Sequence, residues 1–342
     1  QAVRDINVGA NVAVASTGTG ALPVVLGGAT VGTAAGGTIA MSSGSSIATQ
    51  GGDVTFKANA IKLAGASVAA AGGNITMAAA GSTSAHSLEI SNAGATRSNV
   101  GTTGAGTITL SGSLTGGGAS ATGGSAGGVV VTDSSITSDT GAISITGTVS
   151  GPSTGDKVER GFRLDSGTTV TSAGDISMSG TVSATRAITA YVFGQDSMGG
   201  EVANGATVSS TGGNATLSGT ANNTLHINDT GLAIKGKVQT GAAGKITLTG
   251  AATVGVAAGT GLSTGLSSEI IAGTGGLDMT GTVSSVTTAT SLAGVMFAGA
   301  ASATGNIVAN GIVNAASASG VRSLDMQGGT LTGSGTATIT LK

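Results

Sequence analysis

Along most of the chain, apolar residues alternate with Ser and Thr in short runs that open on Gly. The runs read GNITMAA from Gly73, GTITLSG from Gly106, GAISITG from Gly141 and GDISMSG from Gly174. They continue as GNATLSG from Gly213, GKITLTG from Gly244, GGLDMTG from Gly275 and GNIVANG from Gly305. The spacings are 33, 35, 33, 39, 31, 31 and 30 residues, and a weaker copy, GTIAMSS, opens at Gly37. In each strong copy the third and fifth residues are apolar, as Ile108 and Leu110 are, and Thr or Ser usually stands between them, as Thr109 does. A period of two with β-branched residues predicts a strand with one buried and one solvated face. Another apolar residue often follows four positions later (Leu114, Val149, Val182, Val283, Val313). Gly112, Gly147, Gly180, Gly250 and Gly281 mark the position where a missing side chain permits a bend or a close backbone approach.

A second alternating stretch precedes several copies, as GVVVTDSSITS does before Gly141 and GLAIKGKVQT before Gly244. The unit is therefore two short strands, a Gly turn, a longer strand and a loop of variable length. Its apolar face is too narrow to fold alone, and stacking on copies of itself makes the core continuous. The predicted fold is all-β, a single parallel β-helix (β-solenoid) of about ten coils of ~30–35 residues. Residues 1–36 are expected to be a strand-rich start of the solenoid or an assembly strand. Residues 37–342 carry the repeats, with loop insertions near 152–163 and 189–205. The extra copy GDVTFKA, around Gly52, leaves room for shorter coils there.

Composition sharpens this picture. Glycine accounts for 64 of 342 residues, a density that opposes helices, and no Gly-X-Y period points to collagen. Charged residues are only 8% and 39% are hydrophobic, which argues against a disordered tail. A net charge of −2 gives no electrostatic reason to expect nucleic acid or an anionic membrane. No apolar run is long enough for a membrane-spanning helix, and without cysteine there is no disulfide scaffold.

The stretches GVVVTDSSITSDTGAISITGTVSG (128–151) and GFRLDSGTTVTSAGDISMSGTVSA (161–184) resemble the β-helix repeats of filamentous-haemagglutinin-like exoproteins. These are the large adhesins of two-partner secretion and related bacterial surface proteins. The resemblance covers residues 37 to about 313, and the secretion module expected at the start of such an exoprotein is not among them. It implies a right-handed coil, an extracellular bacterial location and an adhesive or scaffolding role.

Candidate chemistry is sparse. Asp133, Asp139, Asp165 and Asp175 would form a small acidic strip if successive coils align; as isolated turn residues they would simply be solvated. The densest charge lies in GDKVERGFR, with Asp156, Lys157, Glu159, Arg160 and Arg163, read as a binding loop or as a solvated loop of local ion pairs. The second insertion holds Tyr191 and Phe193, two of five aromatics, on a protruding loop or as a cover for the rod. His86 and His226 lack partners at metal spacing, and no calcium-binding nonapeptide occurs. No catalytic residue, cofactor or metal site is expected. Outer Ser and Thr ladders would order water as ice-binding solenoids do only if they formed a flat, two-column array; the sequence suggests single repeating positions.

Both ends, RDINVGANVAVAS (4–16) and TATITLK (336–342), read as strands and not as polar caps. Either the chain is cut from a longer β-helix, or its ends pair head to tail with another copy through Thr338, Ile339, Thr340 and Leu341. A start at Gln1 is compatible with a processed mature chain. The functional expectation is an extracellular structural or adhesive protein, a filament subunit or adhesin segment. Its expected partners are itself and a cell-surface glycan or another surface protein. A polysaccharide-active β-helix enzyme or a glycan-binding module is the alternative.

Overall fold

The computed structural model describes residues 5–16, 20–27, 37–81, 85–115, 125–151, 158–184, 197–223, 228–255 and 258–342. Among these the chain is all β, and its strands form three parallel sheets, here called A, B and C, of eleven strands each. Successive strands enter A, then B, then C, and the next coil repeats the order. The first coil is Ile6–Val8, Ala13–Ala15 and Val24–Gly27; the last is Val321–Met326, Thr330–Gly333 and Ile339–Leu341. This is the predicted parallel β-solenoid, with eleven rungs per sheet against the expected ten or so. The strands within 1–36 pair with the next coil and are the first rung of the same stack.

The repeat found in the sequence is the ladder of sheet C. Ile75, Ile108, Ile143, Ile176, Ala215, Ile246, Leu277 and Ile307 are consecutive partners. The weak copy at Gly37 is the one misplacement. Its Ile39 pairs with Ile6 and Ile61 in sheet A, and the member of sheet C in that coil is Val54 of GDVTFKA. The coil from Val54 to Ile75 is therefore the short one. Only Asn59 separates the strand Val54–Ala58 from Ala60–Ala64, so the chain turns directly from sheet C into sheet A. A bare three-strand coil repeats the same Gly-x-Ile-x-Met signal in a different sheet, which is why pattern alone misassigned it.

Three devices hold the coils in register. The Gly that opens each copy lies directly over its predecessor: a Cβ on Gly106 would strike the Gly73 carbonyl, and one on Gly141 the Gly106 carbonyl. Buried hydroxyls at the end of sheet B reach those carbonyls one coil back: Ser138 Oγ to Gly106 O at 2.8 Å, Ser172 Oγ to Gly141 O at 2.6 Å, Ser210 Oγ to Gly174 O at 2.8 Å. Side-chain oxygens at the start of sheet C accept backbone N–H groups from the following coil. Asp53 takes the Asn74 N–H at 2.8 Å, Asp175 takes Asn214 at 2.7 Å, and Asn214 takes Lys245 at 2.9 Å. Corner polar groups that would otherwise be orphaned are thus satisfied between coils.

From Ile75 onward most strands of sheet C run past the main core, and the strands of sheet A begin earlier to meet them. Sheets A and C touch there along two glycine columns. Cβ atoms on Gly147, Gly180, Gly250 and Gly281 would run into the carbonyls of Gly161, Gly199, Gly261 and Gly294. This backbone-on-backbone seam divides the interior. On one side lies the main core, with Phe56, Ile108, Phe162 and Phe297. On the other lies a second, narrower compartment, in which Leu114, Ala126, Val149 and Val182 form one cluster and Ala252, Val254, Val283 and Leu292 another.

Candidate functional site

The charged segment predicted as a loop is largely a strand. Val158–Leu164 belongs to sheet A, so Glu159, Arg160 and Arg163 stand on a rung between the strands Ser125–Thr132 and Ser197–Val202. Neighbouring residues face opposite sides of the sheet, but the alternation slips at Gly161, so Arg160 and Arg163 both reach Glu201 while Glu159 and Phe162 are buried inside. Asp156 and Lys157 lie outside the described residues, as do Tyr191 and Phe193. Of the second insertion, Ser197–Val202 is likewise a strand of sheet A, and its Glu201 is Arg163's partner in the ladder. The alternation was hidden in both segments because charged residues occupy positions that elsewhere hold Val or Ala.

On the outer side of sheet A, Glu201 collects three cations from the two coils that flank its own, Arg160 and Arg163 from one and Lys235 from the other. Arg160 Nε lies 2.9 Å from Oε2, Arg163 Nε 3.5 Å from the same oxygen, and Lys235 Nζ 2.7 Å from Oε1. Arg163 also holds Asp165 at 2.6 Å. Glu201 is only 4% exposed. That burial alone would raise its pKa, but the Arg160 charge and the Lys235 hydrogen bond outweigh it and hold the carboxyl down at about 2. The cluster is neither a solvated loop nor an open site. It is a clamp across three rungs with its acceptors occupied. Nearby on the same sheet, Lys62 and Glu89 pair at 3.4 Å, and burial, reinforced by Lys62 and Arg163, lowers the pKa of His86 against the opposing pull of Glu89.

On the inner side, in the second compartment, the column Ala126–Glu159–Ser197–Asp229–Gly259–Leu292 crosses the coils. Its polar members interrupt an otherwise apolar column between the two small clusters. Glu159 is 0% exposed; its Oε2 accepts from Ser197 Oγ at 3.3 Å, and its Oε1 has no hydrogen-bond partner. Glu201, Lys235 and this inner column were not legible as a group, because their members come from different coils.

The four aspartates do not converge. Asp133 sits at the corner between sheets A and B with φ of 40° and pairs with Arg97 at 3.2 Å; Asp165 pairs with Arg163. Asp139 accepts the Gly104 N–H at 3.0 Å, and Asp175 serves the register ladder above. Each carboxylate is used locally, and among the described residues no three His, Cys, Asp or Glu side chains form a metal-binding group.

The outer face of sheet C corrects the expectation of single Ser and Thr positions. Over the six rungs from Ile108–Thr115 to Gly276–Ala289, four adjacent outward columns carry hydroxyls. One rung reads Thr109, Ser111, Ser113, Thr115 and the next Ser144, Thr146, Thr148, Ser150. Ser177, Ser179, Thr181 and Ser183 follow. Asn222, Ala251 and Asp278 are the exceptions in this field. A sequence reading confined to the residue between two apolar positions sees one column; the longer strands supply the others.

No family model, no curated protein and no solved structure matches this chain. Its fold and surfaces define it as a parallel β-solenoid, all of whose described coils belong to one stack.

Proposed function

We propose that this protein is an extracellular structural and adhesive β-solenoid, either a surface filament subunit that stacks end to end or a segment of a larger adhesin. One observation carries the reading: the core columns remain apolar through both end coils. The last coil presents Leu324, Met326, Leu331, Ile339 and Leu341, and the first presents Ile6, Val8, Val14, Val24 and Leu26, at the same five positions. Met326 is 41% exposed, Leu341 53% and Val14 41%, while their counterparts inside the stack are buried. The three sheet edges at each end offer unpaired backbone groups in matching parallel order, which is the template for strand addition. A contact of this kind does not close on itself and so propagates.

A second copy is the proposed occupant of each end, and a glycan or another surface protein is the partner of the rod's sides. The bacterial surface location follows from the repeat's resemblance to filamentous-haemagglutinin-like exoproteins. The alternative of a polysaccharide-active enzyme gains no support from the aspartates, which fall two by two on two different corners and are each engaged by a local ion pair or backbone N–H. Sedimentation velocity of the chain and of a Leu331→Glu, Leu341→Lys double variant tests the stacking. Concentration-dependent growth that the variant abolishes supports it; equal behaviour of the two contradicts it.

A further inference from the structure

Beyond end-to-end stacking, and independent of it, we infer that the outer face of sheet C binds the surface of ice. The hydroxyl field spans four columns and six rungs. With a strand spacing of about 4.8 Å and a two-residue rise of about 6.6 Å, it covers roughly 20 Å by roughly 24 Å. Its register runs unbroken, and the shift in this sheet comes only between Ser285 and Thr288. The glycine and Asx ladders keep successive strands in one register, so the outward groups recur in the same four columns from rung to rung.

Three features select the partner. Between the rungs Ile108–Thr115 and Lys245–Val254 the outward positions after each strand's first residue carry no charge, so a polyanion or polycation has nothing to pair with. The same positions hold no aromatic ring, so sugar rings have no stacking platform. Few of the hydroxyls are used internally: Ser111 Oγ and Ser218 Oγ reach carbonyls at 3.4 Å, and Thr253 Oγ1 reaches Asn222 at 3.1 Å. The contrast with the buried hydroxyls of Ser138, Ser172 and Ser210, each bonded to a backbone carbonyl, is direct. What the face offers is hydroxyl and methyl groups at strict two-dimensional intervals. Repetition over this distance adds binding energy only when the ligand is itself periodic. Water anchored on successive hydroxyls at small entropic cost makes such a layer, and it is continuous with a crystal of water.

The test is the growth of single ice crystals in the presence of the full chain, read as crystal habit and as the gap between melting and freezing points. The expected result is faceted crystals and a gap that widens with protein concentration. Thr148→Lys and Thr181→Lys place charge at the centre of the field and should abolish both effects. Thr171→Lys, on the outer face of sheet B, should retain them, with circular dichroism and melting confirming that all variants fold. Round, freely growing crystals with the unaltered chain overturn the proposal, as does undiminished activity in Thr148→Lys and Thr181→Lys together. Capture on microcrystalline cellulose without any effect on ice also overturns it, in favour of a glycan-binding face.

Discussion

Arg160 and Glu201 meet at 2.9 Å across adjacent rungs of sheet A, 41 residues apart in the chain. Both side chains are nearly out of contact with solvent, at 7% and 5% exposure. A pair so placed is strongly coupled to the fold, because removing one partner leaves charge in a poorly solvated place. Glu201→Gln is expected to destabilise the protein by roughly 3 kcal/mol at neutral pH. Lys235→Met, whose side chain is 41% exposed, should cost less than about 1 kcal/mol. Denaturant titration of both variants separates the two.

The same carboxylate sets a pH signature. Its folded pKa, about 2, lies below the ordinary value of 4.5, so the folded state favours the ionised form. The stabilisation is complete above 4.5 and is lost as pH falls toward about 2. Melting temperatures of the unaltered chain and Glu201→Gln should therefore differ at neutral pH and converge through that acid window. A difference that is constant with pH contradicts the assignment.

Glu159 makes the opposite prediction. Its buried Oε1 has no hydrogen-bond partner, and its neighbours in the second compartment are largely apolar. Replacing it by Met, of similar length, removes an unsatisfied polar group and should raise stability by about 1 kcal/mol or more. Thermal melting decides the sign.

The glycine seam has little room to relax. Gly180→Ala places a methyl group against the Gly199 carbonyl and the Phe162 ring, and should cost about 2–3 kcal/mol. Gly101→Ala, whose new Cβ would meet only ordinary contact at 3.7 Å on sheet B, should stay within about 0.5 kcal/mol. Equal effects at the two sites would remove the seam from the account of the fold.

Sheet C was legible in the sequence because a glycine, two apolar residues and an intervening hydroxyl recur there with few exceptions. Sheet A was only half legible. Its strands pack backbone to backbone on sheet C at Gly128, Gly161 and Gly199, and near that seam Glu159, Arg160, Arg163 and Glu201 replace the apolar and small residues found at the matching positions of other coils. Charge concentrated in one stretch imitates a loop unless its strand neighbours are known. The partnership of Glu201 with Arg160 and Lys235 depends on coil length, which the variable connections between sheets C and A conceal. The hydroxyl field was hidden for a different reason: its third and fourth columns, as at Thr148 and Ser150, lie beyond the seven-letter copies that drew the alignment.

The measurement that bears most directly on the central claim is electron microscopy of the purified chain across a concentration series. Stacking of the end coils predicts unbranched filaments that lengthen with concentration and carry an axial repeat on the order of 50 Å, the length of eleven rungs. Separate rods of that length at every concentration would contradict it.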